Sequence, residues 1–158
     1  MNEITIYTDG SAKGNPGKGG YGAVLIAGNR RKEISEGFEL TTNNRMELLS
    51  VIKALEILKT QPSIVNVFSD SKYVVDSIEK GWVFNWEKKG FDKKKNIDLW
   101  RRFLQIYRKH NVSFHWVKGH DGNELNERCD QLAVKASNGE QLQKDFGYIA
   151  SKDESTLF

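Results

Sequence analysis

The hydrophobic period of this chain changes once, near Thr42, and that change constrains the fold more than any other feature. Before it, Ile4, Ile6 and Thr8 alternate with Thr5, Tyr7 and Asp9, the period of two expected of a strand. Tyr21–Ala27 and Glu33–Leu40 read as two more strands, with a turn at Gly28-Asn29. The glycine-rich run from Asp9 to Gly20 reads as punctuation rather than regular structure. Short connections favour antiparallel pairing of these three strands.

After Thr42 the period becomes helical. Thr42-Asn43-Asn44 can cap a helix running to about Lys59, whose broad apolar face includes Leu48, Val51, Ile52, Leu55 and Leu58. Pro62 ends it. A short strand spans Ile64–Ser69, helical patterns cover Lys72–Lys80 and Ile97–His110, Val112–Val117 is a fifth strand, and a last helix spans about Asn123–Ser137. A meander followed by alternating helix and strand predicts an α/β domain. Its mixed five-stranded sheet combines a three-strand antiparallel meander with two parallel strands, flanked by helices.

The 158 residues suit one domain, read here as residues 1–150, with a flexible polar tail over 151–158. No apolar run is long enough to cross a membrane, and the N-terminus has no secretory pattern. Cys129 is the only cysteine, so no internal disulfide can form. These features favour a cytoplasmic protein. The net charge of +3 says little, but its distribution says more. Between Trp82 and Lys95 five lysines face only Glu87 and Asp92, the local footprint expected for a polyanion.

Asp9 and Asp70 fall at the carboxyl ends of predicted strands, the edge where open α/β sheets collect ligands. If those strands are parallel neighbours, the two carboxylates converge and suit a hard divalent cation. Gly10, Ser11 and Ser71 leave room beside them. Each residue also has an ordinary reading. A strand-end aspartate caps a turn, Glu47 in a first helical turn serves the dipole, and Asp130 sits on a solvated helix face.

A wider pattern runs through the chain: Tyr7-Thr8-Asp9-Gly10-Ser11, Gly14-Asn15-Pro16-Gly17, Thr42-Asn43-Asn44-Arg45-Met46-Glu47-Leu48, Ser69-Asp70-Ser71-Lys72-Tyr73-Val74, Trp116-Val117-Lys118-Gly119-His120 and Asn126-Glu127-Arg128-Cys129-Asp130. In this order the set closely resembles cellular type I ribonuclease H, the bacterial ribonuclease HI group. The resemblance covers about residues 3–150. It implies a ribonuclease H-like fold and an endonuclease that hydrolyses the RNA strand of an RNA–DNA hybrid, leaving 3′-hydroxyl and 5′-phosphate ends. The implied metal ligands are Asp9, Glu47, Asp70 and Asp130, holding two Mg²⁺, with Mn²⁺ as a substitute. His120 takes the position of the family's mobile histidine, which assists proton transfer or product release. His110 and His115 match no family motif and read as structural.

The resemblance also places hybrid contacts on Gly14, Asn15, Asn43 and Asn44, and a DNA-phosphate pocket near Thr42 and Asn96. Residues 82–95 resemble the family's basic protrusion, so Lys88, Lys89 and Trp86 become substrate candidates. Packing is favoured for Trp82, while packing and substrate contact stay open for Trp86. The implied state is a monomer. Terminal Leu157-Phe158 looks like a weak replication-clamp binding peptide. Two competing readings are a catalytically silent hybrid-binding module, which the presence of all four carboxylates opposes, and an integrase-like strand-transfer enzyme. The Thr42–Leu48 motif and the protrusion oppose the latter.

Overall fold

The computed structural model describes residues 2–119 and 121–157, and of 153–157 the backbone alone. It contains β1 (Glu3–Ala12), β2 (Gly17–Ala27), β3 (Arg30–Thr41), α1 (Asn43–Glu56), β4 (Ile64–Ser69) and α2 (Lys72–Glu79). Then come α3 (Trp82–Lys88), α4 (Ile97–Tyr107), β5 (Asn111–Trp116), α5 (Glu124–Ser137), β6 (Leu142–Gln143) and α6 (Phe146–Leu157). The sheet order is β5-β4-β1-β2-β3-β6. The meander pairs antiparallel, and β4 pairs parallel with both β1 and β5.

Three expectations need correction. The sheet has six strands rather than five, because Leu142 and Gln143 add a two-residue parallel strand beside Gly37 and Phe38. So short a strand carries no readable period. The segment read as a flexible tail continues α6 through Leu157. Finally, the glycine-rich run is mostly strand, since β1 extends to Ala12 and β2 begins at Gly17.

That last correction has a steric cause. Glycine inside a strand often marks close approach of another backbone. A Cβ on Gly10 would lie 2.3 Å from the Met46 carbonyl carbon in α1, and one on Gly22 would lie 2.5 Å from the Cys129 oxygen in α5. The glycines therefore let α1 press on one sheet face and α5 on the other. The main core lies on the α1 side, where Ile6, Val65, Val67, Leu48, Ile52, Leu55, Trp100 and Phe103 are fully buried.

The two helix starts nearest the carboxyl end of the sheet are capped as their sequences suggest. Thr42 Oγ1 accepts from the Arg45 amide, and Ser71 Oγ accepts from the Val74 amide. Each cap satisfies an amide that the first turn leaves unpaired.

Candidate active site

The β1–β4 ladder runs from Glu3–Ile64 to Thr8–Ser69. Asp9 and Asp70 are the next residues on each strand, so they leave the ladder side by side. Asp70 ends β4 as expected, whereas Asp9 lies inside β1, which goes on pairing with β2. Glu47, in the second turn of α1, reaches the same point. Asp9, Glu47 and Asp70 bring oxygens within 4.8 Å of one another. Asp130 on α5 lines the same open cavity of about 300 Å³, together with Gly10, Ser11, Asn43 and Ser71. It stands outside the tight group of three.

One backbone amide orders two of these side chains. Gly10 N donates to Asp9 Oδ1 and to Glu47 Oε1, both at 2.9 Å. Glu47 Oε2 is buried without a partner. Gly119 packs against Asp70 so closely that a Cβ there would lie 2.6 Å from Oδ2.

Burial and like charge work in the same direction here. Burial first, with the charges of Asp70 and Asp130 adding to it and hydrogen bonds from Glu47 and Gly10 opposing, raises the Asp9 carboxyl to about 7. Burial also raises Glu47 well above the carboxylate range, with the Asp9 charge next in weight. Such a group ionises fully only beside a cation. The donor set is all carboxylate oxygen, one of them orphaned, and it fits a hard divalent ion.

The predicted hybrid contacts gather beside this cavity. Asn43 Oδ1 accepts from the Ala12 amide at 2.5 Å, and the Asn43 amide donates to Asn15 Oδ1 at 2.9 Å. Gly14 and Asn15 both have positive φ, 81° and 23°. The β1–β2 loop is thereby tied to the start of α1, and Asn44 is exposed next to it. Residues 1–138 match the RNase H family along the sequence. The chain belongs to the ribonuclease H family. It is 54% identical over 151 residues to a ribonuclease H of Trichodesmium erythraeum (strain IMS101), covering 92% of this chain and 96% of that one. The crystal structure of LC9-RNase H1, a type 1 RNase H with the type 2 active-site motif, matches with TM-score 0.80 and 31% identity. That match covers 89% of this chain and 74% of the other. LC11-RNase H1, crystallised in complex with RNA/DNA hybrid, matches with TM-score 0.65 and 30% identity over 85% of this chain and 96% of its own.

Residues 82–95, read from the sequence as a basic protrusion, form α3 and the turn after it. Lys88 and Lys89 are exposed. Trp86 is half-buried, with its ring 5.9 Å from Trp100 in an edge contact and Lys94 Nζ 5.0 Å from its centroid. Trp82, expected to pack, is instead 43% exposed beneath Lys80. The anchor is Phe91, 2% exposed at positive φ. Glu87 does not dilute the lysines, because Arg108, just after α4, pairs with it at 2.5 Å.

His120 lies outside the described residues. So does Phe158, and the side chain of Leu157 is likewise not described. His110 is buried and accepts from the Ser63 amide at 3.0 Å, the structural role expected. Among the described residues no helix is long and apolar enough to cross a membrane.

Sequence reading missed the groups that hold this corner together. Arg45, 3% exposed, donates to Asp98 on α4 and to Asp145 just before α6. Thr41 donates to Asp145 as well. Asn96, at φ 62°, accepts weakly from Arg45 and donates to the Tyr73 hydroxyl at 3.1 Å. The only available signal was a charged residue inside the otherwise apolar face of α1.

Proposed function

We propose that this chain hydrolyses the RNA strand of an RNA–DNA hybrid, with Asp9, Glu47, Asp70 and Asp130 holding two divalent cations, Mg²⁺ or in its place Mn²⁺. The observation that carries the proposal is the convergence of three carboxylates at the sheet end, beside asparagines that can meet a sugar edge. Divalent cations bound there would supply an activated water and counter-charge for the leaving oxygen.

The chain's own residues prepare that site. Gly10 fixes Asp9 and Glu47 by one shared amide, and Gly119 gives Asp70 room. His120 follows Gly119 in the sequence, and it would assist proton transfer or product release. The products carry 3′-hydroxyl and 5′-phosphate ends.

The 2′-hydroxyl distinguishes the strand to be cut. Gly14, Asn15, Asn43 and Asn44 would meet it, because amides both donate and accept. Thr42 and Asn96 would hold a phosphate of the DNA strand at the N-termini of α1 and α4. Lys88, Lys89 and the rim of Trp86 would follow that strand further. Contacts of this kind fix register and give little sequence preference. LC11-RNase H1 bound to hybrid supports the substrate class. A catalytically silent hybrid-binding module is not favoured, since all four carboxylates are present. We place the protein in the cytoplasm as a monomer, with a weak replication-clamp contact through Leu157 and Phe158.

The test compares cleavage of a hybrid, duplex RNA and duplex DNA, each with and without Mg²⁺. Mg²⁺-dependent cutting of the RNA strand of the hybrid alone is expected. Metal-independent cutting, or equal cutting of duplex DNA, would overturn the assignment.

A further inference from the structure

The sheet face that carries Asp9 and Asp70 continues, one step down, into a row of stacked rings. Tyr7 lies opposite Phe68, and Phe68 opposite His115, in the parallel registers of β1, β4 and β5. The Tyr7 and Phe68 centroids are 4.7 Å apart with planes 11° from parallel. Phe68 and His115 follow at 4.8 Å and 24°. Strand alternation puts Tyr7 on the face of Asp9 and Phe68 on the face of Asp70, each about 7 Å of backbone before that aspartate.

This face is covered on one side only. The helix α5 packs over β1, β2 and β3. Beyond it Phe68 is half-buried and His115 is exposed. The strand β5 is outermost in the sheet, so among the described residues the stack ends at His115 with no further strand beside it. His115 Nε2 lies 3.0 Å from Asn66 Oδ1, which fixes the ring's rotation. The row beneath is Thr5, Asn66 and Ser113, polar and uncharged. A flat ring with polar edges suits such a surface, and nucleobases have that form. The row is also continuous with the site where a nucleic-acid strand is cut.

We propose that a base of single-stranded nucleic acid, continuing from the strand held at the carboxylates, stacks on His115 as the fourth ring of the Tyr7–Phe68–His115 ladder. The inference rests on the ribonuclease reading for how the strand arrives, not for the stacking itself. It gives the enzyme a preference for hybrids that end in a single-stranded extension.

Two measurements test it. In the first, KM is compared for a blunt hybrid and for hybrids with a six-nucleotide single-stranded extension at either end. One extended hybrid should have a KM lower by about 5-fold or more, on the scale of one base stacked on an aromatic ring. His115→Ala should abolish that advantage, and His115→Phe should retain it. In the second, fluorescence anisotropy follows binding of a labelled single-stranded oligonucleotide without metal. His115→Ala should weaken it by a similar factor, with Tm checked for each variant. The proposal is overturned if neither extension lowers KM, or if the advantage and the oligonucleotide affinity both survive His115→Ala. Failure of the unsubstituted protein to cut the blunt hybrid would instead overturn the ribonuclease reading, and the anisotropy result would still decide the stacking.

Discussion

Two charged residues, two positions apart on α1, show opposite uses of burial. Arg45 and Glu47 are 3% and 8% exposed. Arg45 is surrounded by opposite charge and makes paired hydrogen bonds to both Asp98 and Asp145. Glu47 is surrounded by like charge, with one oxygen unpartnered. The first cluster is complete within the chain. The second is completed only by a ligand. Neighbouring residues of one helix thus divide the tasks of holding the corner and leaving it electrostatically unfinished.

The largest effect should come from completing the second cluster artificially. Asp9→Asn removes a buried charge and lets an amide donate toward Glu47. Cleavage of a hybrid in Mg²⁺ should fall by about a thousandfold, the scale lost when a group stabilising transition-state charge is removed. The same substitution should raise the Tm of the metal-free protein, because it relieves repulsion that no cation offsets. Thermal unfolding in EDTA reads this directly. A lower Tm, or retained cleavage, would mean that the carboxylates are not the strained, functional group described.

The first cluster should respond in the opposite way. Arg45→Met leaves Asp145 buried without its partner, and breaking a buried ion pair costs about 3–5 kcal/mol. For a domain of this size that corresponds to a Tm lower by roughly 10 °C. A Tm shift of only a degree or two would show that the network contributes little beyond geometry.

These clusters also mark how far the sequence could be read. The change of period at Thr42 placed the meander, α1, β4, α4, β5 and α5 within a few residues, because each buries a regular stripe. Asp9 and Asp70 were physically readable, since the residues that follow a parallel ladder in register must lie side by side, although β1 runs on past Asp9. Glu47 and Asp130 were readable as cavity residues only through the motif set, because nothing local separates them from solvated helix residues. Arg45, Asp98 and Asp145 were unreadable. Their partners lie 53 and 100 residues away from Arg45, and no periodicity encodes a pairing at that distance. The Asp9–Gly20 run misled for a related reason. Its glycines answer to α1 and α5, which pack from elsewhere in the chain.

A third charged group sharpens the comparison by being only partly buried. Glu33 on β3 accepts from Arg128 on α5 at 2.8 and 2.9 Å and from Arg31 at 2.9 Å. The side chains of Arg31 and Arg128 are 48% and 41% exposed. The arginine hydrogen bonds, Arg128 first, lower the Glu33 carboxyl to about 2. Because that value is depressed, its stabilisation is present above the ordinary pKa of 4.5 and is lost as pH falls toward about 2. Solvent screening keeps it small, so Glu33→Gln should cost less than about 1 kcal/mol at pH 7. The Tm gap between the variant and the unsubstituted protein should narrow as pH drops from 4.5 to 3, and high salt should narrow it at pH 7. Arg45→Met should show less of that salt dependence, because Arg45 and Asp145 are shielded from solvent ions and only Asp98 is half exposed. If both substitutions respond equally to salt, burial is not what separates the two clusters.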